Sequence, residues 1–251
     1  MTEQRTALVV GSGGIGAQVC RDLAAQGHRV FSTWHRGRAA AEEMHTELGA
    51  ASAGTAALDV VDPASVRAAV DAAAAALGRI DVLVVTAGHR HELARFTVMP
   101  VATAAEILAH ELTGVLDVVR AVLPHQEATG YGRIVLVGSD SGKAGSSGDA
   151  VSSAARGGLI SFTRSLARET AAQDITVNVV CPGPTDTGLL RSMLEADGMT
   201  GKVMQGMVRA VPKRRLGTVE EVSGVVAFLA SDVAGYVTGQ AISVSGGLTM
   251  S

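Results

Sequence analysis

Short runs of β-branched apolar residues alternate along this chain with longer, alanine-rich segments of helical pattern. Runs such as TALVV at 6–10 and DVLVVT at 81–86 are apolar on both faces, as strands are when helices cover a parallel sheet from both sides. Right-handed crossovers then build one doubly wound sheet. We predict a single α/β domain over residues 1–251, with a seven-stranded parallel sheet and helices on both faces.

The pattern also places each element along the chain. The predicted strands cover 6–10, 29–33, 54–58, 81–86, 133–138, 176–180 and 241–245. The predicted helices lie near 14–26, 37–48, 63–77, 101–123, 150–172 and 218–231. Residues 184–212 are helical in pattern but interrupted by glycines and rich in methionine, which fits an adaptable substrate lid and flexible core filler equally well.

Composition excludes several classes of protein. Hydrophobic residues make up 47% of the 251 and aromatics only 3%, so the core is built from small aliphatic side chains. A net charge of −3 argues against a nucleic-acid binder, and no apolar run approaches the ~18 residues of a membrane span. Cys20 and Cys181 lie in apolar segments and read as core residues. The polar start MTEQRT carries no secretory signal, so we expect a cytoplasmic protein.

A glycine-rich turn, GSGGIG at 11–16, directly follows the first predicted strand and opens the first helix. Its spacing matches G-x-G-x-x-G, which in this context lets a pyrophosphate approach backbone N–H groups at a helix N-terminus. The turn predicts a Rossmann fold whose dinucleotide-binding residues include Gly11, Ser12, Gly13, Ile15 and Gly16.

The end of the second predicted strand, STWHRGR, contains no acidic residue. An Asp or Glu there would bind the ribose 2′-hydroxyl of NAD. His35, Arg36 and Arg38 are instead suited to the 2′-phosphate of NADP. We therefore expect NADP(H) to be preferred over NAD(H). The histidines are scattered without zinc spacing, so no metal is expected.

Six motifs in order make the chain resemble the short-chain dehydrogenases/reductases over essentially its whole length. They are GSGGIG, LDV at 58–60, DVLVVTAG at 81–88, GRIVLVGS at 132–139, NVVCPGPTDT at 178–187 and the terminal GYVTGQAISVSGGLTM. Within the family the chain looks most like 2-hydroxycyclohexanecarboxyl-CoA dehydrogenase and its acyl-thioester relatives. The 3-oxoacyl-acyl-carrier-protein reductases are somewhat further away.

The resemblance implies a dinucleotide-binding half at about 1–130, an active-site half at about 131–251 and a lid at about 184–212. An ungapped alignment places Val10 at the family's first glycine, and a one-residue shortening restores Gly11 to that role. The helices near 101–123 and 150–172 would pair across a two-fold axis in a homotetramer or homodimer. Further cofactor contacts implied by the resemblance are Asp59, Val60, Ala87, Gly88, Arg156, Pro182, Gly183, Thr185 and Thr187.

Only one of the family's four reacting side chains is kept. Ser139, which would hold the substrate carbonyl, follows the fifth strand as in the family. By the same alignment Ser152 replaces the tyrosine, Arg156 the lysine and Glu111 the asparagine. Ser152 is a far weaker acid than a phenol and too short to reach its place. Arg156 cannot deprotonate to pass a proton on.

Two interpretations of the role of Glu111 remain open. Glu111 and Arg156 lie on adjacent helices of the family fold and would form a structural bidentate pair. Alternatively, Glu111 would act as a base, which requires a raised pKa that a neighbouring arginine opposes. We favour the structural pair.

Other groups are candidates for the missing acid. The segment TAGHRHELARF at 86–96 borders the substrate pocket in the family, and we select His89, with His91 and Glu92 as weaker candidates. Thr86 replaces a usual asparagine, a sign of altered hydrogen bonding in the cleft. Lys143 is a candidate contact for an anionic substrate.

Three functions fit this sequence. The first is an NADP(H)-dependent oxidoreductase with an atypical active site, acting on a ketone or alcohol of a cyclic or acyl-thioester, polyketide-like substrate. The second is a non-redox enzyme on the same fold: a dehydratase, cyclase, isomerase or lyase. The third is a catalytically silent subunit, which the loss of the tyrosine favours. We lead with the oxidoreductase.

Overall fold

The computed structural model describes residues 4–250 and contains one seven-stranded sheet. Every neighbouring pair of strands is parallel, in the order β3-β2-β1-β4-β5-β6-β7. The predicted doubly wound fold is therefore confirmed. The strands are β1 Thr6–Val10, β2 Arg29–Trp34, β3 Ser52–Ala57, β4 Val82–Val85, β5 Tyr131–Val137, β6 Asp174–Pro182 and β7 Ala241–Val244.

Helices cover both faces of this sheet. They are α1 Ile15–Ala25, α2 Arg38–Leu48, α3 Pro63–Leu77, α4 Val101–Leu108, α5 Gly114–Thr129, α6 Ser141–Ala144, α7 Ala150–Glu169, α8 Gly188–Leu194, α9 Gly198–Ala210 and α10 Val219–Leu229. None of the helices between residues 4 and 250 is long and apolar enough to cross a membrane.

Alternate residues of each strand enter two separate cores. On β1, Leu8 and Val10 pack with the apolar sides of α3, α5 and α7. Ala7 and Val9 pack on the opposite face with α1, α2 and α10. Burial of both faces explains why the strands read as continuous apolar runs. Both cysteines are buried free thiols, and burial raises the pKa of Cys20 to about 12.

One predicted helix is divided. The sequence predicts a single helix over 101–123, whereas a π-helical segment, Ala109–Thr113, separates α4 from α5. Gly114 follows it because a Cβ there would lie 2.6 Å from the carbonyl oxygen of Val60. The extra residue in this wide turn directs Glu111 into the protein, where it is 3% exposed.

The methionine-rich segment forms the two helices α8 and α9. Leu93, Leu190 and Met204 form a small apolar cluster beneath them, with Met193 and Met207 packed against it. The methionines are thus partly core filler, as one of the two interpretations had it. Closure of this segment over a substrate remains a prediction.

Candidate active site

A cleft of about 430 Å³ opens at the carboxyl ends of β1, β2 and β4. The strand order reverses between β1 and β4, and ligands of open α/β sheets bind at such a switch point. The cleft is lined by Val10, Gly11, Ser12, Gly13, Thr33, Trp34, His35, Arg36, Gly37, Ala40, Leu58, Val60, Thr86, Ala87, Gly88, His89, Arg90, His110 and Leu189.

The glycine turn forms one wall of this cleft. Gly11 has φ +93°, and Gly14, which begins α1, has φ +50°. At Gly16 a Cβ would lie 1.7 Å from the carbonyl oxygen of Gly11, whereas at Gly13 it would meet no protein atom within 4 Å. The turn therefore needs glycine at three positions for its own path, and at Gly13 it leaves open space toward the cleft. A pyrophosphate fits such a cradle.

Two details of the turn were missed or differ from the sequence-based prediction. Gly14 was not selected, although its left-handed φ is what the turn requires. The side chain of Ile15 packs with the core on the α1 face of the sheet, so only its backbone N–H remains for a ligand. The hydroxyl of Thr86 donates to the carbonyl oxygen of Gly11 at 2.8 Å and so braces the turn from β4.

The far wall comes from the end of β2. His35 and the exposed Arg36 line the cleft beside Trp34, an aromatic residue that the sequence-based selection missed. His35 Nδ1 lies 3.6 Å from Asp59 Oδ1, so Asp59 has a partner at the cleft edge. Arg38 does not line the cleft, because its Nε donates to Glu42 at 2.7 Å.

The residues expected at the nicotinamide end lie after β6. A Cβ on Gly183 would approach Ser245 within 2.9 Å, so glycine is required there for packing against the β7 end. Thr185 is buried and its hydroxyl donates to the carbonyl oxygen of Gly183 at 3.0 Å. Thr187 accepts from the N–H of Leu190 and caps α8. Pro182 ends the strand, and none of these four residues lines the cleft as described above.

Three buried side chains, none of which lines the cleft, form one hydrogen-bonded network. Arg156 donates from Nη2 to Glu111 Oε1 at 2.9 Å and from Nε to Oε2 at 3.2 Å. Ser152 donates its hydroxyl to the same Oε2 at 2.6 Å. The expected bidentate pair is therefore present, and the serine hydroxyl completes it.

Glu111 is held ionised in this network. Burial acts to raise its pKa, but the Arg156 charge and the hydrogen bonds from Ser152, Arg156 and the His89 N–H outweigh burial and hold the pKa below its usual range. A carboxylate of lowered pKa with occupied lone pairs is a poor base at neutral pH. The structure favours the structural pair, and the alternative of Glu111 as a base is disfavoured for this reason.

Arg156 is also committed to the backbone. Its Nη1 donates to the carbonyl oxygens of Val137 at 3.2 Å and Ala87 at 3.5 Å. Its Nη2 lies 3.3 Å from where a Cβ of Gly88 would stand. The guanidinium thus ties β5, the loop after β4 and α7 together, which leaves little of it for the ribose contact implied by the family resemblance.

Ser139 lies outside this network. Its hydroxyl accepts from the N–H of Ser141 at 3.2 Å and from the Ser141 hydroxyl at 3.0 Å. Its own proton is therefore available to a substrate oxygen. Lys143 is not aimed at a substrate, because its Nζ donates to the Ala241 carbonyl oxygen at 2.7 Å and to Ser243 at 3.0 Å.

Three histidines lie close together, and two of them, His89 and His110, line the cleft. The rings of His89 and His110 are stacked with centroids 4.5 Å apart, and those of His89 and His91 are 6.0 Å apart. Burial, together with the charges of His110 and His91, lowers the pKa of His89. His110 was not selected from the sequence, where it stood unnoticed beside Glu111. The described residues contain no group of three or more side chains suited to a metal ion.

The parallel sheet, its switch-point cleft and its glycine turn define a dinucleotide-binding α/β protein. Comparison with known proteins narrows the class. Residues 9–249 match the family described as enoyl-(acyl carrier protein) reductase. The chain belongs to the short-chain dehydrogenase/reductase family of oxidoreductases.

The relatives span the whole chain. The chain is 37% identical over 249 residues to 3-oxoacyl-(acyl-carrier-protein) reductase FabG of Escherichia coli (strain K12), covering 99% of this chain and 98% of that one. It is 37% identical over 250 residues to acetoacetyl-CoA reductase of Rhizobium meliloti (strain 1021), covering 97% and 98%. The crystal structure of a tryptophan variant of actinorhodin polyketide ketoreductase with NADPH superposes with a TM-score of 0.89 at 33% identity, covering 98% and 97%.

Proposed function

We propose that this protein is an NADP(H)-dependent reductase of a ketone carried on an acyl-thioester or a cyclic, polyketide-like substrate. The main support for this proposal is the cleft itself. The glycine turn lies on one side of it, Arg36 lies on the other, and His89 and His110 also line it. The relatives support the same reading, because their names specify acyl-carrier-protein, CoA and polyketide substrates, and one was crystallised with NADPH.

The chain's own residues account for cofactor binding. Backbone N–H groups of the turn between Ser12 and Ile15 would hold the pyrophosphate, because those of Gly11 and Gly16 already donate to Thr33 and Gly13. Arg36 would pair with a 2′-phosphate. Val60, Ala87 and Gly88 would border the adenosine and ribose. The cofactor, when bound, supplies the hydride for reduction of the carbonyl carbon.

Reduction of the carbonyl group also needs a proton donor whose proton is not already held by another protein group. The Ser152 proton is donated to Glu111, which is ionised and accepts only. His89 lines the cleft without belonging to that network through its ring. We therefore assign the acid role to His89 and the carbonyl-orienting role to Ser139, whose hydroxyl proton is available.

The proposal extends to assembly and location. We expect a cytoplasmic homodimer or homotetramer that takes a small-molecule or acyl-thioester substrate.

Calorimetric titration with NADPH and NADH tests the cofactor assignment. Arg36→Ala removes a charge-assisted contact, so NADPH should bind about 10- to 100-fold more weakly while NADH binding is unchanged. Arg38→Ala, which removes an arginine already paired with Glu42, should change neither affinity. If neither dinucleotide binds the wild-type protein, the redox proposal is wrong.

Consumption of NADPH with acetoacetyl-CoA and with a cyclic ketone tests the reaction. His89→Gln should lower kcat/KM by about 10²–10⁴-fold, the usual contribution of a general acid. His125→Gln, which removes a histidine of α5 outside the cleft lining, should leave kcat/KM unchanged. Equal rates for both variants would show that His89 is not the acid.

The saturated network favours one second candidate, a cofactor-binding subunit without reductase activity. Ser152 and Arg156 both donate to Glu111, at positions that the family resemblance gives to the proton relay. Tight NADPH binding without consumption of NADPH in the presence of any ketone tested would support this candidate.

A further inference from the structure

The main chain of His89 is held from two sides. Its N–H donates to Glu111 Oε1 at 3.2 Å. Its carbonyl oxygen lies 3.3 Å from Nδ1 of His91. Because the backbone is fixed on both sides, the His89 ring has a defined place above the cleft.

The ring of His91 bridges two acceptors. Its Nε2 lies 2.7 Å from Asp149 Oδ1, just before α7, and its Nδ1 faces the His89 carbonyl oxygen. The His91 side chain is 7% exposed and that of Asp149 is 15% exposed. A neutral imidazole carries one N–H, whereas the imidazolium carries two. Only the protonated ring therefore satisfies both acceptors at once.

We propose that His91, paired with Asp149, is a positioning residue that holds His89 over the cleft only while the His91 ring is protonated. The inference rests on the proposed function insofar as His89 is the acid. Among the described residues that line the cleft, only His89 is hydrogen-bonded to His91. The His91–Asp149 pair is therefore separate from the glycine turn that would hold the cofactor.

The groups around His91 favour its protonated form. The hydrogen bond to Asp149 raises the pKa of His91 most; burial lowers it, and the charges of Asp149 and Glu111 and the bond to the His89 carbonyl raise it further. These charged groups come from the start of α7 and from the π-helical segment, and His89 comes from the same loop. The adjoining α9 contributes the neutral Thr200, which accepts from the N–H of Leu93 at 3.0 Å.

The direction of the pH dependence follows. A histidine whose pKa is raised on folding keeps its paired form at and below its unfolded pKa, and loses it as the pH rises through the folded pKa. The protonated His91 ring therefore bonds both Asp149 and the His89 carbonyl oxygen in mildly acidic solution, and it loses one of these two bonds in alkaline solution. A second bond between the same segments, from the N–H of Ala94 to the carbonyl oxygen of Gly148 at 2.9 Å, does not titrate.

Nuclear magnetic resonance of the full chain labelled with ring-¹³C histidine tests this directly, without cofactor or substrate. His91→Gln assigns the His91 signal among the seven histidines. We expect His91 to titrate above its usual value of 6.5. Asp149→Asn should lower that pKa by about one pH unit or more. Asp197→Asn, the same change at the start of α9 with no histidine partner among the described contacts, should leave it unchanged.

Amide hydrogen exchange measures how firmly the backbone around His89 is fixed. Protection of amides in 89–94 should fall as the pH rises through the His91 pKa, and should fall at lower pH in Asp149→Asn. A His91 that titrates at or below 6.5, a pKa unaffected by Asp149→Asn, or a pH-independent protection would each overturn the proposal.

The reaction supplies a second readout. Because the pKa of His89 is lowered, its own titration sets the first alkaline decline of kcat/KM. Loss of the His91 contact should add a second alkaline limb at the His91 pKa, and in Asp149→Asn that limb should move to lower pH with the His91 pKa. An unmoved limb would overturn the positioning role. If the protein reduces no ketone, the proposed function fails, and the titration and exchange experiments still decide the proposal on His91.

Discussion

At the scale of single residues, the buried network of Glu111, Ser152 and Arg156 is the main feature of the candidate site. Ser152 and Arg156 both donate to Glu111, and the ion pair is nearly buried, with the Glu111 side chain 3% and that of Arg156 9% exposed. A buried ion pair adds little net stability, yet removing one partner leaves an uncompensated charge. The three residues are therefore coupled and should be substituted together.

Arg156→Met should lower the free energy of unfolding by about 3–5 kcal/mol at neutral pH, because it leaves the Glu111 carboxylate buried without its partner. The double variant Glu111→Leu with Arg156→Met should be clearly more stable than Arg156→Met alone. Urea denaturation measures both. Additive losses in the double variant would contradict the pairing.

The Glu111–Arg156 pair also predicts how the free energy of unfolding depends on pH. The folded pKa of Glu111 is lowered, so its contribution to stability is present above its unfolded value near 4.5 and is lost as the pH falls through the folded pKa. The stability difference between wild type and Arg156→Met should therefore narrow in acid. A constant difference down to the acid-unfolding range would contradict this assignment.

At the scale of elements, the strand–turn–helix unit carries the cofactor cradle. Its geometry depends on a contact that a side chain at Gly16 would prevent, because Gly16 lies against the carbonyl oxygen of Gly11. Thr86, directly after β4, donates to the same oxygen. The π-helical segment positions the buried network, because it directs Glu111 toward Ser152 on α7.

Gly16→Ala should destabilise the protein by about 1–3 kcal/mol or more, because the new Cβ would lie 1.7 Å from the Gly11 oxygen and the turn must shift. Gly13→Ala is the matched control, with no protein atom within 4 Å of the new Cβ, and should change stability by less than about 1 kcal/mol. Thermal unfolding of both variants measures the difference. Equal melting temperatures would show that the turn in solution follows another path.

At the scale of the whole molecule, the cleft joins the two sides of the sheet at its switch point. A ligand bound there contacts the loops after β1, β2 and β4 together. Binding should consequently stabilise the fold as one unit.

NADPH at about 100 times its Kd should add about 2.7 kcal/mol to the free energy of unfolding, which for a chain of this length raises Tm by about 5–10 °C. NADH at the same concentration should raise Tm less, and Arg36→Ala should narrow the gap between the two. A Tm that responds to neither dinucleotide would contradict the proposed function at its first step.

Much of the fold was readable from the sequence because the signals are local or periodic. Apolar runs of strand length, alanine-rich helical spacing and the glycine turn identified the seven strands and the parallel sheet, but not the order of the strands within it. The alignment of motifs likewise selected Ser139, Ser152, Arg156 and Glu111. Element ends were less accurate, as the division of the helix over 101–123 shows.

The roles of those residues were decided only by the tertiary structure. The sequence alone determined a doubly wound sheet with a glycine turn after its first strand, and it predicted an altered set of reacting residues. It left Glu111 as either a base or the ion-pair partner of Arg156. It also gave no sign that His91 forms a hydrogen bond with Asp149, 58 positions away along the chain. Those outcomes depend on long-range approach, burial and the direction of each hydrogen bond, and these quantities exist only once the helices are packed on the sheet.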